Sequence, residues 1–286
     1  MDQHRELLAR AGRVPDGWLA IARETLADGE TDRLEELLAA LDESKLHARQ
    51  HSFVPAPDGH EQNDAALVAA VTAADGVEAC WATMRDGTDR VYLVQAGVDA
   101  DLPAVTAAGQ HALAACQDTP KVEVFGPDHP LPAYHEQALL AATLLWSAAA
   151  SRPEPPVSVA RAFDGAGVDG PWFAPDHELV VDPAQRRRLL DFLAGGDVVL
   201  TADVRLADVL TGAADVVPTS LRSDGTWVWS EATRYYLDRY QLAPDPELAG
   251  HAMANRPGGR LCPLARHRVR VALNPTEQEE PSWRAG

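Results

Sequence analysis

Apolar residues at the start of the chain recur at helical spacing. In the clearest segment, leucines fall at i, i+3, i+4 and i+7, namely Leu34, Leu37, Leu38 and Leu41. This spacing puts apolar side chains on one face of a helix and polar ones on the other. The same pattern predicts two earlier helices, over residues 2–12 and 15–28. The chain is therefore predicted to begin with three amphipathic helices.

After these helices the pattern changes to short strands crossed by helices. Runs of apolar residues flank a polar turn at 85–89, which is typical of a β-hairpin. The predicted elements are a strand, a helix, the two strands of the hairpin, a helix, a strand and a helix, at 52–55, 63–74, 77–84, 90–96, 102–117, 121–125 and 134–150. Helices leading into a small mixed sheet with crossing helices predict an α+β fold.

A proline-rich segment at 151–156 is predicted to be a linker, because three prolines in four positions oppose both helix and central strand. We therefore expect two domains, an acidic α+β domain over 1–150 and a smaller α+β module over 157–256. The remaining segment, 257–286, turns from basic to acidic and is expected to be either loosely ordered or an edge strand at 269–273 followed by disorder.

The module is predicted to contain strands, a glycine-rich loop and helices. In chain order these are a strand at 157–163, the loop at 164–170, a helix at 183–193, a strand at 197–202, a hairpin within 216–229 and a helix from Ser230 to about Tyr240. Gly195-Gly196 suits a left-handed end to the first helix, and Ser230 suits the N-cap of the second.

Aromatic residues concentrate in this hairpin and helix. Five of the 17 aromatic residues are Trp227, Trp229, Tyr235, Tyr236 and Tyr240. Alternation along the strand and a four-residue interval along the helix predict one face that joins indoles to phenols. The simpler interpretation is packing of the helix on the hairpin. The functional one is a platform for a partner side chain, a sugar or a planar ligand. The candidate binding residues are Arg222, Asp224, Trp227 and Trp229.

The net charge narrows the possible partners. The formal charge is −18, and residues 1–150 hold 10 basic against 24 acidic residues, a net −14. Such a field repels phosphate backbones and anionic lipid, so we expect neither nucleic-acid nor membrane binding. It suits either simple solubility or docking onto a basic protein partner.

Three cysteines, Cys80, Cys116 and Cys262, are widely spaced and odd in number. They favour neither a disulfide framework nor a zinc ribbon, and we expect the first two to be buried and inert. The first residues have neither a basic start nor an apolar run, so no signal peptide is predicted. These features predict a cytoplasmic protein.

Histidines offer the best candidates for catalytic or metal chemistry. His47 and His51 are four residues apart and precede His60-Glu61, and Asp128-His129 precedes His135-Glu136. The pair at 47 and 51 lacks the intervening glutamate of the zinc protease motif, and solvated surface positions are the simpler interpretation. We therefore predict no metal site, no cofactor and no assigned catalytic residue.

The glycine-rich loop contains the G-x-G-x-x-G spacing of a dinucleotide site, at Gly165, Gly167 and Gly170. That motif requires a helix that begins at the last glycine. Here Pro171 and Pro175 follow instead, so nucleotide binding is not expected. Nucleophilic catalysis is not favoured either, because the chain contains no G-x-S-x-G motif.

The aromatic segment also carries a resemblance. The sequence VVPTSLRSDGTWVW at 216–229, then Tyr-Tyr-Leu at 235–237 and LAPDPEL at 242–248, resembles a C-terminal module of uncharacterised actinobacterial proteins. The resemblance implies no established activity. Some of these proteins are associated with toxin or secretion loci, which implies an immunity or accessory role. Abundant alanine and only two lysines, Lys45 and Lys121, are typical of such GC-rich genomes.

Two main functions remain open from the sequence. The first is a non-enzymatic protein that binds a protein partner, with an immunity or accessory role as the form that the resemblance implies. The second is an enzyme or small-ligand binder, with an interdomain site of histidine and carboxylate groups from 47–61 or 128–136. Carbohydrate binding at Trp227 and Trp229 is a third hypothesis.

Overall fold

The computed structural model describes residues 3–41, 50–127, 131–148, 156–168, 170–256 and 258–273. The chain separates into two compact units, Met1–Glu154 and Pro155–Gly286. Both contain helices and sheets, which confirms the α+β class. Within the described ranges, no helix is both long enough and apolar enough to cross a membrane.

The first unit contains helices and a mixed sheet. Its helices are α1 (Gln3–Leu8), α2 (Asp16–Ala27), α3 (Thr31–Ala39), α4 (Glu61–Thr72), α5 (Leu102–Leu113) and α6 (Ala133–Ala141). Its strands are β1 (Phe53–Pro55), β2 (Val77–Arg85), β3 (Asp89–Ala96), β4 (Lys121–Phe125) and β5 (Thr143–Ser147).

The predicted hairpin forms the centre of this sheet. β2 and β3 pair antiparallel across a turn in which Asp86 and Gly87 have φ angles of 53° and 74°. Such left-handed pairs match the twist of hairpin strands. β4 adds to β3 in parallel, while β1 and β5 both pair with β2. The core lies between this sheet and α4 and α5, and a second cluster joins α1 to α3 around Leu34.

β4 pairs with β3 on one side, and two side chains close its other side. The Arg23 guanidinium donates to the carbonyl of Val122 at 3.0 Å, and His4 Nε2 donates to that of Val124 at 2.8 Å. Free carbonyls along an edge strand invite pairing with another chain. These two hydrogen bonds, donated by side chains of α1 and α2, satisfy two such carbonyls of β4.

The single helix predicted over 134–150 is wrong. The chain forms α6, turns at Ala142 with extended backbone, and continues as β5 alongside β2. A short apolar run fits helix and strand equally well by periodicity. The edge of β2 decides between them, because pairing there satisfies the backbone of both strands.

The second unit contains shorter elements. Its helices are α7 (Pro183–Gly195), α8 (Glu231–Tyr240), α9 (Pro246–Ala254) and α10 (Pro263–Leu273). Its strands are β6 (Ser158–Val159), β7 (Gly165–Gly167), β8 (Gly170–Trp172), β9 (Asp197–Leu200), β10 (Arg205–Leu206), β11 (Val217–Pro218), β12 (Leu221–Ser223) and β13 (Trp227–Ser230). The main sheet has the order β6-β13-β12-β9, and α8 begins directly after β13 with Ser230 as its N-cap, as predicted.

α7 does not end in the left-handed cap expected at Gly196. Gly196 has a φ of −65°, and its lack of a side chain instead makes room for the Trp229 ring. The Arg222 guanidinium donates to the carbonyls of Ala194 at 3.2 Å and Gly196 at 2.8 Å. The Arg222 side chain, from β12, therefore supplies hydrogen bonds to carbonyls that lack partners within α7.

The edge strand expected near 269–273 is also wrong. Residues 263–273 form α10, with Val269 buried and Arg266 paired to Asp197 of β9 at 2.5 Å. Apolar residues at 265, 269 and 272 fall at i, i+4 and i+7 and so share one face of a helix, which β9 contacts. Residues 274–286 lie outside the described part of the chain.

Candidate functional site

A concave pocket of about 250 Å³ opens in the second unit. Its walls come from the segments 161–164, 173–178 and 242–246 and from α8. Gln241, at a φ of 65°, ends α8 and turns the chain back. Val180 and Ala243 then donate backbone hydrogen bonds to the carbonyls of Gln241 and Glu178, at 2.8 and 2.9 Å. These bonds hold two of the pocket walls side by side.

Three aromatic rings line the pocket. The Phe173 ring centroid lies 5.3 Å from that of Phe163 and 4.8 Å from that of Tyr236. The tilted and edge-to-face arrangement is the one that aromatic pairs prefer. The Tyr236 hydroxyl accepts a hydrogen bond from the Val209 amide at 3.1 Å, which fixes this ring from behind. The apolar lining is therefore preformed.

Asp164 and His177 form a fixed pair on one wall. Asp164 Oδ2 accepts from the Ala174 amide at 2.7 Å and from His177 Nδ1 at 2.9 Å. The Ala174 amide first, and His177 second, lower the pKa of Asp164. His177 Nε2 lies 3.0 Å from the Ala243 carbonyl. Since both ring nitrogens face acceptors, making both bonds requires the doubly protonated ring.

Carboxylates surround the opening. Asp245 caps α9 and also pairs with the Arg161 Nε at 3.3 Å. Asp176 and Glu178 are exposed, and their side chains have no hydrogen-bond or ion-pair partner among the described residues. With Asp164, the described lining contains four carboxylates and, as possible counter-charges, Arg161 and His177. The opening is therefore acidic and holds two carboxylates that are available to a ligand.

The hydroxyl of Thr233 is the unusual polar group of the pocket. Thr233 is 5% exposed, and its Oγ1 has no hydrogen-bond partner within the described ranges. A buried hydroxyl without a partner costs about 1–3 kcal/mol of stability. Such groups occur where a ligand or a water supplies the missing bond. This hydroxyl points to a polar occupant of the pocket.

Two of the four binding residues predicted from the sequence have internal partners. Arg222, besides capping α7, donates from Nε to Glu231 at 2.8 Å. Asp224 accepts from the Trp227 amide at 2.8 Å and contacts His251 Nε2 at 2.5 Å. Burial acts to raise the pKa of Asp224, but these hydrogen bonds outweigh it and leave that pKa lowered. Both side chains hold the hairpin to its neighbours.

The two tryptophans lie in a different cluster from the tyrosines. Trp229 is 1% exposed and donates from Nε1 to the Leu193 carbonyl at 3.1 Å, and Trp227 is half-buried with its ring 6.2 Å from that of His251. Both pack toward α7 and α9, whereas the tyrosines pack toward β11 and Phe173. The predicted joint face of indoles and phenols is therefore wrong. α8 lies between the two clusters: its Leu237 packs with the tryptophans, and its Tyr236 packs with the other tyrosines.

Two of the candidate histidines, His51 and His135, are hydrogen-bonded inside the first unit. His51 bridges Asp86 Oδ2 at 2.7 Å and the Gly12 carbonyl at 2.9 Å, and His135 Nε2 lies 2.8 Å from Glu123. His47, Asp128 and His129 lie outside the described residues. In the part of the chain that the structure describes, no group of three metal-ligating side chains assembles.

The cysteines and the glycine-rich loop offer no reactive arrangement. Cys80 is buried, and burial raises the pKa of its thiol to about 12. Cys116 is exposed, so the expectation that it is buried is wrong. The loop forms a small hairpin, β7 and β8, with Trp172 packed on Gly165, and no helix follows it up to Asp182.

The sequence pattern singles out Tyr236 of the pocket lining, as part of the aromatic segment, but not Phe163, Phe173, His177 or Thr233. These four residues come from three separate stretches of the chain and share no spacing rule. The closely spaced Trp172, Phe173 and His177 after the glycine-rich loop are a local signal that could have marked one wall of the pocket. Their assembly depends on the turn at Gln241 and on the pairing of Glu178 with Ala243.

Comparison with known proteins gives no relatives: no protein-family model, no curated protein and no solved structure matches this chain.

Proposed function

We propose that this chain is a non-enzymatic protein-interaction protein that binds a basic partner through the pocket of its second unit. The observation that carries the proposal is the combination of a preformed aromatic lining with an acidic opening. Aromatic anchors and desolvated charge pairs dominate the binding energy of protein interfaces. An immunity or accessory role would be one setting for such binding.

The net charge of the chain also favours a basic partner. A net charge of −18 attracts cationic surfaces and accelerates their encounter, and it repels nucleic acid. The unpaired Asp176 and Glu178 would then act at short range. Binding is therefore expected to weaken as ionic strength rises.

The enzymatic alternative receives less support from the site. Among the described residues, His177 is the only histidine that lines the pocket, and both of its nitrogens are engaged, by Asp164 and by the Ala243 carbonyl. A general base needs a free nitrogen that reaches the substrate proton. The arrangement therefore favours binding over proton transfer.

Fluorescence anisotropy with the full-length chain tests this function. Labelled peptides of equal length, one rich in arginine and lysine, one acidic and one neutral, are titrated with the protein. We expect the basic peptide alone to bind, and the double variant Asp176→Asn/Glu178→Gln to bind it about tenfold more weakly.

The matched control removes two exposed carboxylates elsewhere in the same unit, as Asp203→Asn/Asp215→Asn. It changes the net charge equally, so we expect its affinity to stay within about twofold of the original. Equal weakening by both double variants would show a general charge effect and reject the pocket. Absence of binding to every basic peptide would reject the function.

A further inference from the structure

We propose that the pocket receives the guanidinium group of a single arginine side chain of the partner. This inference rests on the proposed function and names the chemical group that is recognised. The pocket volume of about 250 Å³ is below the roughly 300–1,000 Å³ that is typical of sites for drug-sized molecules. It suits one side chain inserted from a larger partner.

The aromatic lining favours a guanidinium group over an ammonium group. Phe163, Phe173 and Tyr236 form a compact triangle of rings, with centroid separations of 5.3, 4.8 and 5.7 Å. A guanidinium is planar and weakly hydrated, and it stacks on aromatic rings. An ammonium is a compact ion that holds its water more strongly, so it loses more hydration on entering such a pocket.

The opening already accommodates one guanidinium of this chain. Arg161 pairs with Asp245 at the pocket opening, and the Arg161 side chain is 69% exposed. This pair demonstrates that a carboxylate of the opening accepts N–H groups from arginine. The carboxylates of Asp176 and Glu178 are not bonded to any described residue, so they are available to an arginine of the partner. Arginine has five N–H donors and can use several acceptors at once.

The buried Thr233 hydroxyl supplies the independent indication of a ligand. It is 95% buried, lines the pocket and has no partner among the described residues. As an acceptor it complements a group that has only donors. A guanidinium group that enters beyond the carboxylates would donate one N–H to the Thr233 hydroxyl oxygen. Its other N–H groups would donate to the carboxylates at the opening.

Isothermal titration calorimetry with the full-length chain tests the inference. Three neutral-background peptides carry arginine, lysine or citrulline at one central position. Citrulline keeps the shape of arginine but removes its charge. We expect the arginine peptide to bind at least about tenfold more tightly than the lysine peptide, and the citrulline peptide to give no measurable heat. Lysine or citrulline binding as tightly as arginine would overturn the inference.

This outcome differs from failure of the proposed function. If basic peptides bind and depend on Asp176 and Glu178 but arginine and lysine are equivalent, the function stands and the guanidinium assignment fails. If no basic peptide binds, the function itself fails. Tight binding of free arginine with no binding of the peptide would assign the pocket to a small molecule and reject a protein partner.

Thr233→Val tests the buried hydroxyl with little change of shape. We expect this variant to bind the arginine peptide about fivefold more weakly, whereas the exposed control Thr201→Val binds it unchanged. Thermal unfolding verifies that both variants are folded. Unchanged affinity in a folded Thr233→Val protein would remove the hydroxyl from the site and overturn the assignment.

Discussion

At the scale of single residues, the buried carboxylate of Glu123 in the first unit is compensated by a charged partner and a hydrogen-bond partner. Glu123 is 3% exposed, and Arg23 approaches both of its carboxylate oxygens, at 3.0 and 2.5 Å. His135 adds a bond at 2.8 Å. Burial acts to raise the pKa of Glu123, but the Arg23 charge and the His135 hydrogen bond outweigh it and hold that pKa far below its usual range. The bonds that Glu123 makes with Arg23 and His135 therefore link α2 and α6 to β4.

Replacement of Glu123 should expose the cost of an uncompensated charge. Glu123→Gln leaves the Arg23 guanidinium buried without its counter-ion, and loss of one partner of a buried pair costs about 3–5 kcal/mol. We expect the free energy of unfolding in urea to fall by that amount. Glu35→Gln, at an exposed position of α3, should change it by no more than about 0.5 kcal/mol. A change of under about 1 kcal/mol for Glu123→Gln would contradict this account.

Asp86 should make part of the stability of the chain depend on pH. Its hydrogen bond from His51 first, and the Ser52 amide second, lower the pKa of Asp86 in the folded state. A carboxyl with a lowered folded pKa stabilises the fold above its unfolded pKa of about 3.9, and this stability is lost as pH falls through the folded value.

The measurement compares the original chain with Asp86→Asn in urea between pH 6 and the acid limit of folding. Asparagine tolerates the left-handed backbone at this position. The variant should be less stable by a constant amount near neutral pH, and the difference should shrink in the acid range. A difference that does not change with pH would show that the carboxylate charge at 86 contributes nothing.

At the scale of elements, neighbours decide where helices end. α8 ends at Gln241 in a left-handed conformation, which returns the chain to pair with Glu178. α7 ends at Gly195 because the Trp229 ring needs the space beside Gly196, and Arg222 satisfies the last carbonyls. The pocket and the tryptophan core both depend on these two helix ends.

Two glycines of the second unit should respond in opposite directions to alanine. A Cβ at Gly196 would clash with the Trp229 ring, which its bond to the Leu193 carbonyl holds in place. We expect Gly196→Ala to lower the melting temperature and to cost about 1–3 kcal/mol. Gly250 lies within α9, and nothing lies within 4 Å of an added Cβ there. Gly250→Ala should stabilise by about 0.5–1 kcal/mol. Equal effects of the two changes would refute this assignment.

At the scale of the whole molecule, charge and pocket belong to different parts of the chain. Residues 1–150 carry a net charge of −14, while the pocket lies in the second unit, where residues 151–286 carry −4. On the proposed function, long-range attraction of a basic partner comes mainly from the first part. Short-range selection comes from the aromatic rings and from Asp176 and Glu178.

The sequence by itself determined the features that depend on neighbours along the chain. Helical leucine spacing, the turn of the β2–β3 hairpin and the Ser230 cap were all predictable, because each follows from residues a few positions apart. The α+β class follows from the same local patterns. These features need no knowledge of distant contacts.

Tertiary structure decided everything that depends on distant partners. The run after Ala142 became a strand because β2 offered an edge, and the segment at 263–273 became a helix because β9 offered a surface. Trp229 entered the core, and Tyr236 took another direction, since α8 packs on both sides. The pocket likewise joins residues as far apart in the chain as Arg161 and Pro246, and only three-dimensional packing brings its rings, carboxylates and hydroxyl together.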